Sequence, residues 1–222
     1  IAANFMGADD LRMFELSRRP SLAQKKFRFR AGEFVAAGNL DRDNPVELRI
    51  ASLPDSPELA DADFLEQLDG VKTIANPGPK FGGTEEQPPI ATVTGKVGCS
   101  RPIMAEHFAF LKSVAKATPK FTIPSPSMLH LRGGRNAISK DVYPDLEEFW
   151  RDVAAAYRKA IAHLARAGCT YLQLDDTAFA YLCDPKIQEN CRRNGDDPAK
   201  LPQRYADTIN AALKDRPAGM TV

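Results

Sequence analysis

Two adjacent aspartates, Asp175 and Asp176, end the run Tyr171-Leu-Gln-Leu174. Aspartate is a poor strand residue, and a carboxylate removed from water is costly unless something pairs with it. One reading of the pair is local: an Asx-turn or a cap for the segment that follows. The other is chemical: carboxylates at a strand's end bind a substrate ammonium or orient a polar group. Adjacent carboxylates raise each other's pKa unless a cation intervenes. An amine-bearing ligand therefore suits them, and general acid–base work is the further option.

A second group lies in TIPSPSMLHLRGGR, Thr122 to Arg135. Pro124 and Pro126 stiffen this stretch and remove two N–H donors. Ser125 and Ser127 then either offer hydroxyls on a rigid scaffold or simply complete a proline-shaped turn. His130 follows the same predicted strand and is the histidine best placed for a site. His107 and His163 fall inside helical patterns and read as structural or exposed. Arg132 and Arg135 flank Gly133-Gly134, where they either meet an anionic ligand or form a solvated surface.

The four cysteines, Cys99, Cys169, Cys183 and Cys191, contain no CxxC pair. Cys169 reads as a small core residue, and Cys183 and Cys191 as residues of the loop after Asp176. No two histidines stand at the spacing of a local metal motif. Nothing resembles a nucleophile elbow. A disulfide framework is not expected in a chain of 222 residues, which points to a reducing cytoplasm.

These groups need elements to position them. IATVTGKVG, KFTIPSPSML and TYLQLD read as strands, and GMTV as the start of another. RPIMAEHFAFLKSVAKA reads as a helix with Pro102 near its first turn. The clearest helix follows Asp145, an N-cap with Glu148 three residues on, as in a capping box. Leu146, Phe149, Trp150, Val153, Tyr157, Ile161 and Leu164 recur at helical spacing, and Gly168 is the stop. PAKLPQRYADTINAALKDRP is another helix, and SPELADADFLEQLDG an earlier one closed by Gly70. NLDRDNPVELRIASLPDSP reads as loop, as does the Pro/Gly-rich stretch over 75–90.

Strands alternating with helices predict parallel βα units. An open doubly wound sheet and a (β/α)8 barrel both place ligands at the C-terminal ends of strands. No GxGxxG or Walker pattern follows any strand, which favours the barrel.

The composition excludes other classes. Thirty basic and 29 acidic side chains nearly cancel, so neither nucleic acid nor a membrane surface is an expected partner. No apolar run approaches the roughly 18 residues of a membrane span.

GCTYLQLDDTAFAYLCD, KFTIPSPSML, VYPDLEEFWRDVAAAYRKAI and RYADTINAALKDRPAGMTV resemble the cobalamin-independent methionine synthase family, in its single-module, methionine synthase II-like form. The resemblance runs from about Asp63 to Val222, which implies a divergent or poorly matched N-terminal segment over 1–60 and a partial barrel over 61–222. It implies a (β/α)8 barrel related to uroporphyrinogen decarboxylase, and methyl transfer to a thiol such as homocysteine. Asp175 stands where that family's DEP aspartate binds the amino group of homocysteine. Asp176 replaces the family's Glu, and Thr177 its Pro, which bears on substrate identity.

In that family a zinc ion binds the thiol and stabilises its thiolate. The resemblance places the zinc ligands beyond Val222, beginning with His-x-Cys, so this chain alone is expected to be inactive and to expose strand edges that favour self-association. The methyl donor is left open. Two alternatives accompany this reading. One is another alkyl-thiol transferase or a uroporphyrinogen-decarboxylase-like enzyme, with Arg132 and Arg135 serving carboxylates. The other is a non-catalytic product.

Overall fold

The computed structural model describes residues 63–75 and 89–222, together with the backbone of two short strands over 34–38 and 47–51. The basic stretch before Phe34, the expected boundary near residue 60 and most of the Pro/Gly-rich loop lie outside the described residues. So do residues 56–62 of the helix expected to end at Gly70; of its remainder, residues 63–66 form a helical turn.

Strands β1 (Phe34–Gly38) and β2 (Glu47–Ala51) pair antiparallel, with Phe34 opposite Ala51. The second of these lies where a loop was expected. Its five residues are too few for alternation to announce a strand. Strands β3 (Asp69–Ile74) and β4 (Ile90–Gly98) also pair antiparallel, with a register irregularity between Asp69 and Val71. Gly70 sits at that irregularity with φ +75°. It therefore opens a bulged strand rather than merely closing a helix.

Parallel pairing between two strands, expected of the βα units, is found among the described residues in one pair. Strand β5 (Lys120–Pro124) lies parallel to β6 (Tyr171–Asp175), with Lys120 opposite Tyr171 and Pro124 opposite Asp175. Thr221 then bridges Tyr171 in parallel on the next position, where the sequence pattern placed the start of a further strand. Val93 of β4 makes a parallel bridge to Ile138. The architecture is α/β, and no barrel closes among the described residues.

The long helix Leu146–Arg166 connects β5 to β6. Asp145 caps it through its carboxylate, which accepts the Glu147 N–H at 2.9 Å. The predicted capping box does not form: Asp145 accepts from Glu147 rather than Glu148, and the Glu148 carboxylate pairs with Lys96 at 2.6 Å. Phe149, Trp150, Val153, Tyr157, Ile161 and Leu164 are all buried, as their spacing predicts. The helix ends in a Schellman motif: Cys169 N–H donates to Leu164 O and Gly168 N–H to Ala165 O, with Gly168 at φ +96°.

The inward face of the long helix meets the helix Leu201–Leu213, whose Leu201, Tyr205, Thr208 and Ala212 are buried. Trp150 packs edge-on against Tyr205 with ring centroids 5.9 Å apart. Arg158 donates to the carbonyl of Ala211, and Arg204 forms a bidentate ion pair with Glu147. Strand β4 is tied to the same helix by Tyr143, whose hydroxyl accepts Val97 N–H and donates to Asp152, both at 2.7 Å.

The helix near Ala105 starts later than Pro102 would suggest. Met104 adopts φ +52° at its N-cap, and the helix spans Ala105–Val114. A helix over Pro185–Arg193, capped by Asp184, lies where loop was expected. Cys191 is buried in that helix. No described helix is long and apolar enough to cross a membrane.

Candidate functional site

The parallel β5–β6 pair brings two chemically loaded segments to one edge. Pro124 and Asp175 are register partners, and Ser125 N–H extends the ladder by donating to Asp175 O at 2.9 Å. Pro126–Leu129 then forms a 3-10 turn with its proline in the first turn, where a missing N–H leaves nothing unsatisfied. Ser125, Ser127 and His130 are all buried.

The two aspartates part company here. Asp176 accepts the Ser127 hydroxyl on Oδ2 at 2.7 Å and the Ala178 N–H on Oδ1 at 2.8 Å. The second contact is the Asx-turn of the local reading, and it starts the short helix Ala178–Tyr181. Asp175 is exposed, and among the described residues its carboxylate makes no hydrogen bond or ion pair. Successive residues of an extended chain point to opposite sides, so neighbours in sequence need not share a ligand.

Ser125 contributes a different kind of group. Its side chain is fully buried, and Oγ meets no hydrogen-bond partner among the described residues.

His130 is 2% exposed and has both ring nitrogens engaged. Nδ1 lies 2.9 Å from the Tyr205 hydroxyl, and Nε2 lies 3.2 Å from Asp196 Oδ1. Trp150 packs against the ring at 5.1 Å. Burial pushes the Tyr205 phenol pKa upward, reinforced by the nearby Cys191, Asp196 and Asp176. Neither Tyr205 nor Asp196 is marked by a local motif. They reach His130 from 75 and 66 positions away in sequence, so only tertiary packing reveals them. A groove of about 480 Å³ runs beside this cluster, lined among others by Trp150, Leu146, Leu201 and Arg204.

The two arginines turn inward to backbone carbonyls. Arg132 donates to Pro89 O, and Arg135 donates to Ile138 O and Tyr143 O. They are half-buried loop anchors rather than a solvated surface.

Among the described residues no three His, Cys, Asp or Glu side chains gather as a metal site. Cys99, Cys169 and Cys191 are buried free thiols, and burial raises the pKa of each. The described residues therefore do not by themselves fit the zinc implied by the resemblance.

No family model matches the chain. Two Bacillus subtilis proteins do match it: "Uncharacterized protein YxjH" at 45% identity and "Uncharacterized protein YxjG" at 43%, each over 163 residues. Each match covers 72% of this chain and 42% of the relative. Among solved structures, the "Putative Vitamin-B12 Independent Methionine Synthase" from Listeria monocytogenes is 39% identical, with a TM-score of 0.55. That match covers 72% of this chain and 43% of the Listeria chain. The chain thus spans less than half the length of each of these relatives.

Proposed function

We propose that residues 61–222 form part of a barrel of the B12-independent methionine synthase type, acting in methyl transfer to an amino-acid thiol such as homocysteine. Asp175 receives the substrate's ammonium group. The observation that carries this reading is the carboxylate of Asp175, exposed and unpaired among the described residues at the C-terminal end of a parallel strand pair. The likeness to the Listeria protein supports it.

In such a transfer the thiol loses its proton, and the sulfur lone pair forms the S–CH3 bond. The donor's bond to the methyl carbon breaks, and the donor keeps that electron pair. Asp175 contributes by fixing the amino acid through a charge-assisted hydrogen bond, which holds the sulfur at one distance from the strand end. If zinc activates the thiol, residues other than those described hold it. A reducing cytoplasm suits this chemistry and the four free cysteines. The decarboxylase alternative loses its support, because Arg132 and Arg135 already bind backbone carbonyls.

Calorimetric titration with homocysteine, and with a mercapto acid lacking the amino group, tests the reading. Homocysteine should bind and the amine-free analogue should not. Asp175→Asn should weaken homocysteine binding by about tenfold or more, the loss of one charge-assisted contact. Equal binding of the two thiols, or no effect of Asp175→Asn, would overturn it.

A further inference from the structure

We propose that His130 is a positioning residue. The chain Tyr205–His130–Asp196 clamps the Pro126–Leu129 turn so that Ser127 engages Asp176 and Asp175 alone stays free for the ligand. The statement about the ligand rests on the function proposed above. The statement about the clamp does not.

An imidazole that is hydrogen-bonded at both nitrogens has one donor and one acceptor when it carries a single ring proton. Asp196 accepts only, so the proton belongs on Nε2, 3.2 Å from Oδ1. Nδ1 then accepts from the Tyr205 hydroxyl at 2.9 Å. The upward shift of the phenol keeps Tyr205 a donor. A single tautomer satisfies the whole chain.

Asp196 is itself held in place. Its second oxygen, Oδ2, accepts the Arg135 N–H at 3.3 Å. Gly134 adopts φ +56°, and a Cβ there would stand 2.6 Å from the same Oδ2. Glycine at 134 is what lets the carboxylate come this close. Backbone contacts then carry the clamp to the turn: His130 N–H donates to Ser127 O at 3.0 Å, and Gly134 N–H closes on His130 O. Ser127 Oγ ends the path on Asp176, whose other oxygen holds the Ala178 N–H.

The Ala178 amide is therefore a reporter for the clamp. Long-range proton–nitrogen NMR of the full chain should show the His130 proton on Nε2. Tyr205→Phe, which keeps the ring and its packing, should shift the His130 nitrogens and move the Ala178 amide resonance. His130→Ala should do the same more strongly, and His130→Gln, able to donate to Asp196, should restore the Ala178 signal. Homocysteine binding should weaken about tenfold in His130→Ala and recover in His130→Gln.

The proposal falls if the proton resides on Nδ1. It falls equally if Tyr205→Phe folds and leaves Ala178 where it is in the parent protein. Absence of homocysteine binding by the parent protein would defeat the substrate reading alone, because Ala178 reports the clamp without any ligand.

Discussion

The Ser127 hydroxyl donates to Oδ2 of Asp176 at 2.7 Å, joining the turn after β5 to the residue that follows β6. This bond divides two aspartates that look equivalent in sequence. Asp176 is committed to the fold through Ser127 and Ala178. Asp175 contributes its backbone carbonyl to Ser125 and leaves its carboxylate in solvent.

The two positions should respond oppositely to substitution. Asp176→Ala leaves the Ser127 hydroxyl and the Ala178 N–H without their acceptor, which costs about 1–3 kcal/mol for a part-buried group. Asp175→Asn removes no contact within the described residues and should stay within about 0.5 kcal/mol. Urea unfolding midpoints compare them directly. Equal losses for the two variants would show that Asp175 also holds the fold together.

Gly134→Ala should be more damaging than an exposed-loop glycine substitution. The backbone is at φ +56°, and the new methyl carbon would sit 2.6 Å from Asp196 Oδ2. Strain and displacement of the carboxylate together should cost about 2–4 kcal/mol. Gly219→Ala is the control, since a Cβ there meets nothing within 4 Å. Similar thermal midpoints for the two variants would mean that Asp196 moves freely and anchors nothing.

The long helix was legible because its signals are local and agree with one another: Asp145, the apolar spacing, and Gly168. The strands at Lys120 and Tyr171 were legible for the same reason, and so was the cluster of candidates at their ends. The antiparallel pairs were not. Asp69-Gly70 reads as a helix stop, and only the pairing with β4 shows a strand there. At the site, His130 could be singled out by its place after a strand, but its partners could not. Gly133-Gly134 read as a spacer between arginines, whereas Gly134 makes room for a carboxylate 62 positions later in sequence. Such a relationship is visible only when distant segments share space.

Thiol reactivity should separate the four cysteines. Cys99, Cys169 and Cys191 are buried, and burial raises their pKa values, leaving little thiolate near neutrality. Cys183 is exposed. Brief treatment of the native protein with iodoacetamide, followed by peptide mass spectrometry, should label Cys183 first and the other three only on unfolding. Early labelling of Cys191 would show that its helix opens readily.

Stability should fall on the alkaline side. Burial, aided by the hydrogen bond to Asp152, raises the Tyr143 pKa, and burial also raises that of Tyr205. A phenol whose folded pKa exceeds its unfolded value contributes stability that is fully present below the unfolded pKa, about 10. That contribution is lost as pH climbs through the folded value. Above pH ~10 the unfolded tyrosines ionise while these two stay protonated, so each costs about 1.4 kcal/mol per pH unit. Thermal midpoints measured from neutral pH upward should decline past that point, and Tyr143→Phe should flatten the decline. Tyrosinate absorbance gives the check: Tyr143 and Tyr205 should be among the tyrosines that remain un-ionised until the chain unfolds. Full ionisation of all five tyrosines in the native protein at pH ~10 would contradict the buried hydrogen bonds of Tyr143 and Tyr205.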